Sequence, residues 1–170
     1  NRGLAAREGP IATLIAETGG QNAMIVDSTA LPEQVTRDVV ASAFQSAGQR
    51  CSALRVLYLQ DDVADRVIEI LKGAMDELRI GDPRDLGTDV GPVIDEDDRK
   101  GLMAHIEKLK AEDRLVAETP MAAEHTQEGT FVAPVAFVID SIDALTREQF
   151  GPILHIVRYK ANQLDKVIND

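Results

Sequence analysis

The chain contains one cysteine, few basic residues and no long apolar run. A single cysteine among 170 residues cannot form an internal disulfide, so the sequence gives no sign of an oxidising compartment. No apolar run approaches the roughly 20 residues needed to cross a bilayer. Only 18 basic residues oppose 29 acidic ones, and the net charge of −11 repels phosphate backbones and anionic lipid. We therefore expect neither nucleic acid nor a membrane to bind this segment and, with no signal peptide in view, a cytoplasmic location.

The remaining composition is that of a folded, soluble domain. Apolar residues make up 44% of the chain and charged residues 28%, a balance that argues against disorder. A length of 170 residues suggests one domain or part of one. The chain opens at Asn1 without an initiator methionine and closes at Asp170 inside an apparently helical pattern. We therefore expect a fragment of a longer chain.

Short apolar runs alternate with longer amphipathic stretches. The short runs predict strands, and the stretches whose apolar residues recur at helical spacing predict helices. The predicted strands are 11–16, 23–27, 55–59, 115–117, 131–139 and 153–159. The predicted helices are 32–47, 61–78, 95–110 and one that begins at 162. Alternation of this kind indicates an α/β domain with a largely parallel sheet flanked by helices.

The first of three unusual loops is ETGGQN at 17–22, directly after a predicted strand. It places the carboxylate of Glu17 at a strand end, beside two glycines whose backbone can approach a ligand closely. An ordinary turn between strands is the alternative, and it is favoured when the segment is considered alone.

The second loop, GQRCS at 48–52, contains the lone cysteine. Structural cysteines usually lie inside apolar runs, whereas Cys51 follows a glycine where a predicted helix gives way to a strand. The neighbouring Arg50 favours the thiolate, which is the nucleophilic form. A small packing residue is the commoner role of a lone cysteine, and from this segment alone it remains the favoured alternative.

The third loop, EQFGPI at 148–153, combines an acid, an aromatic residue, glycine and proline ahead of an apolar strand. A plain turn explains this segment when it is considered alone.

Together with three shorter motifs, these loops resemble the aldehyde dehydrogenase superfamily. The six motifs follow the family's order and extend over nearly the whole chain. They are ETGG at 17–20, GQRC at 48–51, GDP at 81–83, GPVI at 91–94, FVAP at 131–134 and EQFGP at 148–152. The separations of 34 residues from Glu17 to Cys51 and 97 from Cys51 to Glu148 are also those of the family.

The residues that occupy the motifs indicate which branch of the superfamily the chain resembles. Segments 16–23 and 48–55 are similar to the Δ1-pyrroline-5-carboxylate (glutamate-γ-semialdehyde) dehydrogenase branch. Segment 1–10 and the run after Gln21 look most like the dehydrogenase module of bacterial bifunctional proline utilisation enzymes. Many family members carry two acids where this chain has Arg147-Glu148, but the second acid is retained.

The resemblance implies NAD-dependent oxidation of glutamate-γ-semialdehyde to glutamate in proline catabolism. Cys51 is then the nucleophile that forms a thiohemiacetal, and Glu17 is the general base that activates water against the resulting thioester. Ser52 donates a hydrogen bond to the α-carboxylate of this small-molecule aldehyde substrate.

The resemblance also implies a cofactor site. Glu148 hydrogen-bonds a hydroxyl of the nicotinamide ribose, Phe150 packs near the nicotinamide, and Gly19 belongs to the same site. FAD is expected only in a separate proline dehydrogenase module, if the parent chain has one.

We expect residues 1–170 to cover most of the family's catalytic domain, with the NAD-binding domain mostly absent. No glycine-rich turn of the dinucleotide-binding kind occurs in the sequence. The isolated fragment is therefore expected to be inactive, and the full protein to form a homo-oligomer.

Other interpretations remain open. An aldehyde dehydrogenase acting on a different substrate fits the same motifs. A cysteine hydrolase would pair Cys51 with His105, His125 or His155, although nothing in the sequence places a histidine beside the cysteine. A non-catalytic assembly module would use the long apolar run at 131–139. No metal is expected, because paired Cys/His spacing is lacking and the acidic run at 95–98 suits a helix start.

Overall fold

The structure is a computed structural model that describes residues 2–10, 12–126 and 128–170, arranged as a five-stranded sheet flanked by helices. The strands are β1 (Ala23–Val26), β2 (Val56–Gln60), β3 (Leu115–Glu118), β4 (Val135–Val138) and β5 (Ile153–Tyr159). The α-helices are α1 (Arg2–Ala5), α2 (Pro32–Phe44), α3 (Asp61–Asp76), α4 (Glu96–Ala111), α5 (Ala123–Thr126) and α6 (Leu164–Asn169). Short 3₁₀ turns span Gln45–Gly48, Ile142–Ala144 and Ala161–Gln163.

The sheet has the order β1-β2-β5-β4-β3, and β3 alone of these strands runs antiparallel to its neighbour. The predicted α/β fold with a largely parallel sheet is confirmed. Ala23 of β1 lies opposite Val56 of β2, and Val56 lies opposite His155 of β5. Because these three strands are parallel and in register, the segments that precede them meet at the same edge of the sheet.

The core lies between the sheet and the paired helices α2 and α3. Every residue of β2 is buried, and α2 contributes Val39 and Phe44, each at most 1% exposed. Helix α3 contributes Leu71 and Met75, both fully buried. Each such side chain removed from water contributes roughly 1.5–3 kcal/mol before the entropy of ordering is subtracted. In the described part of the chain, no helix is both long and apolar enough to cross a membrane.

The predicted strand at 11–16 is wrong for the residues that the structure describes. Residues 12–16 have no regular structure, and the side chains of Leu14 and Ile15 are 54% and 79% exposed. Ile11 lies outside the described residues. An apolar run becomes a strand only where another strand offers free backbone groups, and none of the described strands pairs with this segment.

Other helices and strands begin or end at different residues from those predicted, for local reasons. Helix α2 ends at Phe44, three residues before its predicted end, because Ser46 and Ala47 adopt left-handed backbone angles. The predicted strand at 131–139 narrows to β4, because Pro134 has no N–H to donate to a ladder, although Phe131 and Val132 stay buried. Helix α4 begins after Asp95, whose carboxylate caps it by accepting from the N–H of Asp98 at 2.9 Å. The acidic run is thus a helix start.

Candidate active site

The three unusual loops converge at one edge of the sheet. Loop 17–22 leads into β1, loop 48–52 leads toward β2, and loop 148–152 leads into β5. These strands are neighbours in the order β1-β2-β5, although their loops are separated by up to about 130 residues in the chain. The fold therefore places all three predicted segments side by side.

The cysteine loop begins with a strained turn. Ser46, Ala47 and Gly48 have φ values of 56°, 53° and 65°, which form a short left-handed stretch directly after α2. Left-handed angles cost roughly 1–2 kcal/mol for each residue with a side chain. A Cβ on Gly48 would overlap the carbonyl oxygen of Gly151, so only glycine allows the cysteine loop to pack on the aromatic loop.

Cys51 is a free thiol that is exposed to solvent. Its loop is held through the backbone: the amide of Asn22 donates to the carbonyl of Cys51 at 2.6 Å and to that of Ala53 at 3.0 Å. Asn22 ends the ETGGQN loop, so two of the three segments are tied together beside the sulfur. The loop is thus rigidly anchored while its thiol stays accessible, which suits a nucleophile better than a packing residue.

Gln49 anchors the same loop to a second segment of the chain. Its side-chain oxygen accepts from the N–H of Ile94 at 2.8 Å, and its nitrogen donates to the carbonyl of Pro92 at 3.3 Å. This contact assigns a structural role to the GPVI motif at 91–94, which supports the cysteine loop.

Glu148 is held by both carboxylate oxygens. Oε1 accepts from Nε and Nη2 of Arg55 at 3.0 and 2.9 Å, and Oε2 accepts from the backbone N–H of Gly20 at 3.0 Å. A Cβ on Gly19 would overlap Oε2, so the first glycine of the ETGG motif leaves the space that the carboxylate occupies. The structure therefore places Gly19 directly against the carboxylate of Glu148.

Arg55 lies at the centre of this arrangement, with its side chain only 1% exposed. Besides Glu148 it donates from Nη1 to the carbonyl of Gly151 at 3.1 Å and from Nη2 to that of Arg50 at 3.2 Å. Its guanidinium carbon lies 5.3 Å from the ring centroid of Phe150, within cation–π range. Burial lowers the pKa of Arg55 below its usual value, and the hydrogen bond and charge of Glu148 oppose that shift.

Sequence reasoning assigned no role to Arg55. The available signal was an arginine directly before the strand that became β2, because an arginine inside a buried segment needs partners for its charge and its five N–H donors. Periodicity identified the strand but not the partners, which lie 93 and 96 residues further along the chain.

Glu17 and Ser52 are less constrained. Both are exposed, and Glu17 lies on the irregular segment before β1. Within the described part of the chain, no hydrogen bond or ion pair attaches the Glu17 carboxylate to the cysteine loop. The structure thus places Gly19 against Glu148, links Phe150 to Glu148 through Arg55 and ties Asn22 to Cys51. The roles of these residues, and those of Glu17 and Ser52, stay predictions.

Two of the histidines, His105 and His155, form a hydrogen-bonded pair, and neither is hydrogen-bonded to Cys51. Nε2 of His105 lies 2.9 Å from Nε2 of His155, and Nδ1 of His155 lies 3.1 Å from the carbonyl oxygen of Arg55. A carbonyl only accepts, so Nδ1 of His155 carries the proton and its Nε2 accepts from His105. Burial is the main cause that lowers the pKa of His155 to about 4. His125 lies in α5, and its side chain is outside the described part.

The structure thus combines an α/β sheet with an exposed, backbone-anchored cysteine and a buried Arg–Glu pair at one edge. The model of the aldehyde dehydrogenase family matches residues 3–170. The chain belongs to the aldehyde dehydrogenase family, and the resemblance inferred from its motifs is confirmed.

Individual relatives show which members of the family the chain is similar to. The chain is 52% identical to the bifunctional protein PutA of Klebsiella aerogenes, over 98% of this chain and 13% of that protein. It is 34% identical to 1-pyrroline-5-carboxylate dehydrogenase of Geobacillus sp. strain WCH70, over 86% of this chain and 28% of that protein. A crystal structure of Bradyrhizobium japonicum PutA superimposes with a TM-score of 0.89 and 57% identity, over 99% of this chain and 17% of that chain. The chain therefore spans a small part of the relatives' length.

Proposed function

We propose that residues 1–170 form most of the catalytic domain of a longer dehydrogenase, which oxidises glutamate-γ-semialdehyde to glutamate with NAD in proline catabolism. The observation that carries this proposal is the accessible Cys51 thiol, held by Asn22 in a loop that also contacts the Arg55–Glu148 pair. Support for the substrate class comes from the relatives, whose names specify a bifunctional PutA protein and a 1-pyrroline-5-carboxylate dehydrogenase.

Cys51 carries the covalent steps of the proposed mechanism. Its thiolate attacks the aldehyde carbon and forms a thiohemiacetal, whose oxyanion requires a preorganised donor. The backbone N–H of Cys51 donates to no acceptor in the described part of the chain, so it is available for that role. Loss of hydride from the reacting carbon then leaves a thioester on the sulfur.

The described residues fit the nicotinamide–ribose end of the cofactor. NAD, when bound, accepts the hydride. Three of the four lone pairs of the Glu148 carboxylate are used by Arg55 and Gly20, which leaves one for a ribose hydroxyl. Phe150 is 39% exposed and offers a ring face on which the nicotinamide can pack, and Gly19 keeps the adjoining backbone free of a side chain.

Two exposed side chains complete the proposed chemistry. Glu17 activates the water that hydrolyses the thioester, a role that typically contributes about 10²- to 10⁴-fold in rate. Ser52, adjacent to the nucleophile, donates its hydroxyl to the α-carboxylate of the substrate and so favours an amino-acid aldehyde over a simple one. Both roles depend on where the carboxylate of Glu17 and the hydroxyl of Ser52 lie relative to the bound substrate.

The nucleophile is tested with Cys51→Ala in the full-length parent protein. We expect NADH formation from glutamate semialdehyde to disappear while the circular dichroism spectrum and the thermal midpoint stay those of the wild type. Cys51 is exposed, so its loss removes little packing. Persistent NADH formation by Cys51→Ala would refute the proposal.

Substrate class is tested with Ser52→Ala in the same protein. We expect the KM for glutamate semialdehyde to rise about tenfold, since one hydrogen bond to a charged group is lost. The KM for a short aliphatic aldehyde, which has no α-carboxylate, should stay unchanged. If the wild-type enzyme preferred the aliphatic aldehyde, the substrate assignment would be refuted, but the family assignment would still hold.

A further inference from the structure

Arg55 connects the three loops of the candidate active site through one planar group. Its guanidinium bonds the carboxylate of Glu148, the carbonyl of Gly151 in the aromatic loop and the carbonyl of Arg50 in the cysteine loop. Glu148 in turn accepts from Gly20 in the ETGGQN loop. We infer that Arg55 is a positioning residue that orients the cofactor-binding carboxylate of Glu148, an inference that rests on the proposed function.

The geometry leaves Glu148 a single free acceptor direction. Arg55 occupies both lone pairs of Oε1 through Nε and Nη2, and the Gly20 N–H occupies one lone pair of Oε2. Among the described residues, one lone pair on Oε2 is thus left free. The bonds from Arg55 to Oε1 and from Gly20 to Oε2 hold the carboxylate at both oxygens and so oppose its rotation. A ribose hydroxyl therefore finds the acceptor already oriented, without an ordering cost on binding.

Arg55 is itself fixed at both ends. Its backbone carbonyl accepts from the N–H of His155 at 2.9 Å and from Nδ1 of the same residue at 3.1 Å. Its side chain is 1% exposed and donates to two backbone carbonyls besides the carboxylate. A positioning group needs such support, because a mobile arginine would transmit its own disorder to Glu148.

Lysine cannot replace the arginine in this role. A lysine ammonium is a point charge, whereas the guanidinium fork bonds a carboxylate through two nitrogens and still directs N–H groups at two carbonyls. Arg55→Lys keeps the positive charge beside Glu148 and removes the fork. The substitution therefore separates orientation from simple charge neutralisation.

The test is a double-variant cycle in the full-length parent protein, with the Kd for NAD measured by equilibrium titration. We expect Arg55→Lys and Glu148→Gln each to weaken NAD binding about tenfold or more, since misplacing a binding group by about 1 Å has effects of that order. We expect the combination to bind no more than about twofold more weakly than Glu148→Gln alone, because Arg55 acts through Glu148. The KM for NAD should rise with the Kd, while the KM for the aldehyde stays within about twofold.

A matched control is Arg158→Lys. Like Arg55, Arg158 donates to carboxylate oxygens, those of Asp61 and Asp65 at 3.0 and 2.7 Å, but it does so at the surface and outside the candidate site. The same chemical change there should leave the Kd for NAD unchanged. Thermal midpoints are measured for each variant. If the lysine variant loses its fold, Arg55→Gln, which removes both the charge and the fork, replaces it in the cycle, and the same non-additivity with Glu148→Gln is expected.

The outcomes separate this inference from the proposed function. Weakened binding in Glu148→Gln with an unchanged Kd in Arg55→Lys overturns the positioning role and leaves the proposed function intact. Fully additive effects of the two substitutions overturn it as well, because Arg55 would then act independently of Glu148. An unchanged Kd in Glu148→Gln overturns the cofactor role of Glu148 and the positioning role together.

Discussion

At the residue scale, the candidate site depends on a charge that has been removed from water. Arg55 is almost fully buried and Glu148 is half-buried, and such groups are stable only when their hydrogen-bonding capacity is used. Here the carboxylate and two backbone carbonyls accept from the guanidinium. Loss of either partner should therefore destabilise the protein, because the remaining charge would be left without its counter-ion.

Gly19 provides a test at this scale. In Gly19→Ala, the new Cβ would overlap Oε2 of Glu148 and displace the carboxylate, although the backbone of Gly19 does not require left-handed angles. We expect NAD binding in the full-length protein to weaken about 10- to 100-fold. The thermal midpoint should fall as well, because the displaced carboxylate leaves the buried Arg55 poorly paired. Isothermal titration with NAD measures the effect.

Gly20→Ala is the neighbouring comparison. Its Cβ would lie 3.4 Å from the side-chain oxygen of Asn22, an ordinary contact distance, and the N–H that donates to Glu148 is retained. We expect a smaller loss of affinity than in Gly19→Ala. Equal losses in the two variants would mean that general loop disturbance, and not the displaced carboxylate, weakens binding.

At the element scale, the left-handed stretch after α2 determines where the cysteine is presented. Three consecutive residues with positive φ reverse the chain within one turn, and the N–H of Leu54 then donates back to the carbonyl of Ser42. The loop therefore starts and ends close to α2 while Cys51 projects to solvent. A strained backbone persists only where surrounding contacts hold it in place, and such positions are concentrated at functional sites.

Two glycine substitutions distinguish strained from unstrained positions. Gly48→Ala should destabilise the protein by about 3 kcal/mol or more, since φ is 65° and the new Cβ would overlap the carbonyl of Gly151. Gly73→Ala, in the exposed interior of α3 with no atom within 4 Å of its Cβ, should stabilise that helix by about 0.5–1 kcal/mol. Thermal unfolding of the two variants checks both signs, and a stabilising Gly48→Ala would contradict the strained turn.

At the scale of the whole molecule, the histidine pair joins α4 to the centre of the sheet. His105 on α4 donates to His155 on β5, and His155 bonds the backbone of Arg55 just before β2. The pair thus stabilises the packing behind the candidate site and leaves neither His105 nor His155 as a base for Cys51. This arrangement weakens the cysteine hydrolase alternative.

The pair also predicts the direction of acid sensitivity. The pKa of His155 falls from 6.5 to about 4 in the folded chain, chiefly because the residue is buried. Between pH 6.5 and 4, His155 therefore binds a proton in the unfolded chain more readily than in the folded one. The free energy of unfolding is unaffected by this residue above pH 6.5 and decreases as the pH falls toward 4. At about 1.4 kcal/mol per pKa unit, the loss reaches about 3 kcal/mol.

Thermal unfolding of the full-length protein between pH 7 and 4.5 measures this loss. The midpoint of the wild type should fall with decreasing pH more steeply than that of His155→Asn, which cannot gain the buried charge. Parallel pH dependences of the two proteins would contradict the assignment of acid sensitivity to His155.

Much of the architecture was predictable from local patterns. The bounds of β5 agree with the predicted strand, and α3 and α4 begin within one residue of their predicted starts. Apolar periodicity and capping acids operate over a few residues, so they are visible in the chain itself. The segment at 12–16 was mispredicted because an apolar run does not reveal whether a neighbouring strand is available.

The sequence by itself determined the α/β alternation, the family motifs and the unusual setting of Cys51, because each depends on residues close together in the chain. Only the tertiary structure decided that Arg55 is buried, that it bonds Glu148, and that His155 bonds His105. Those contacts join residues 93 and 50 positions apart, and Gly20 meets Glu148 across 128. Parallel strand order brings such partners together, and no local periodicity records which strands will be neighbours.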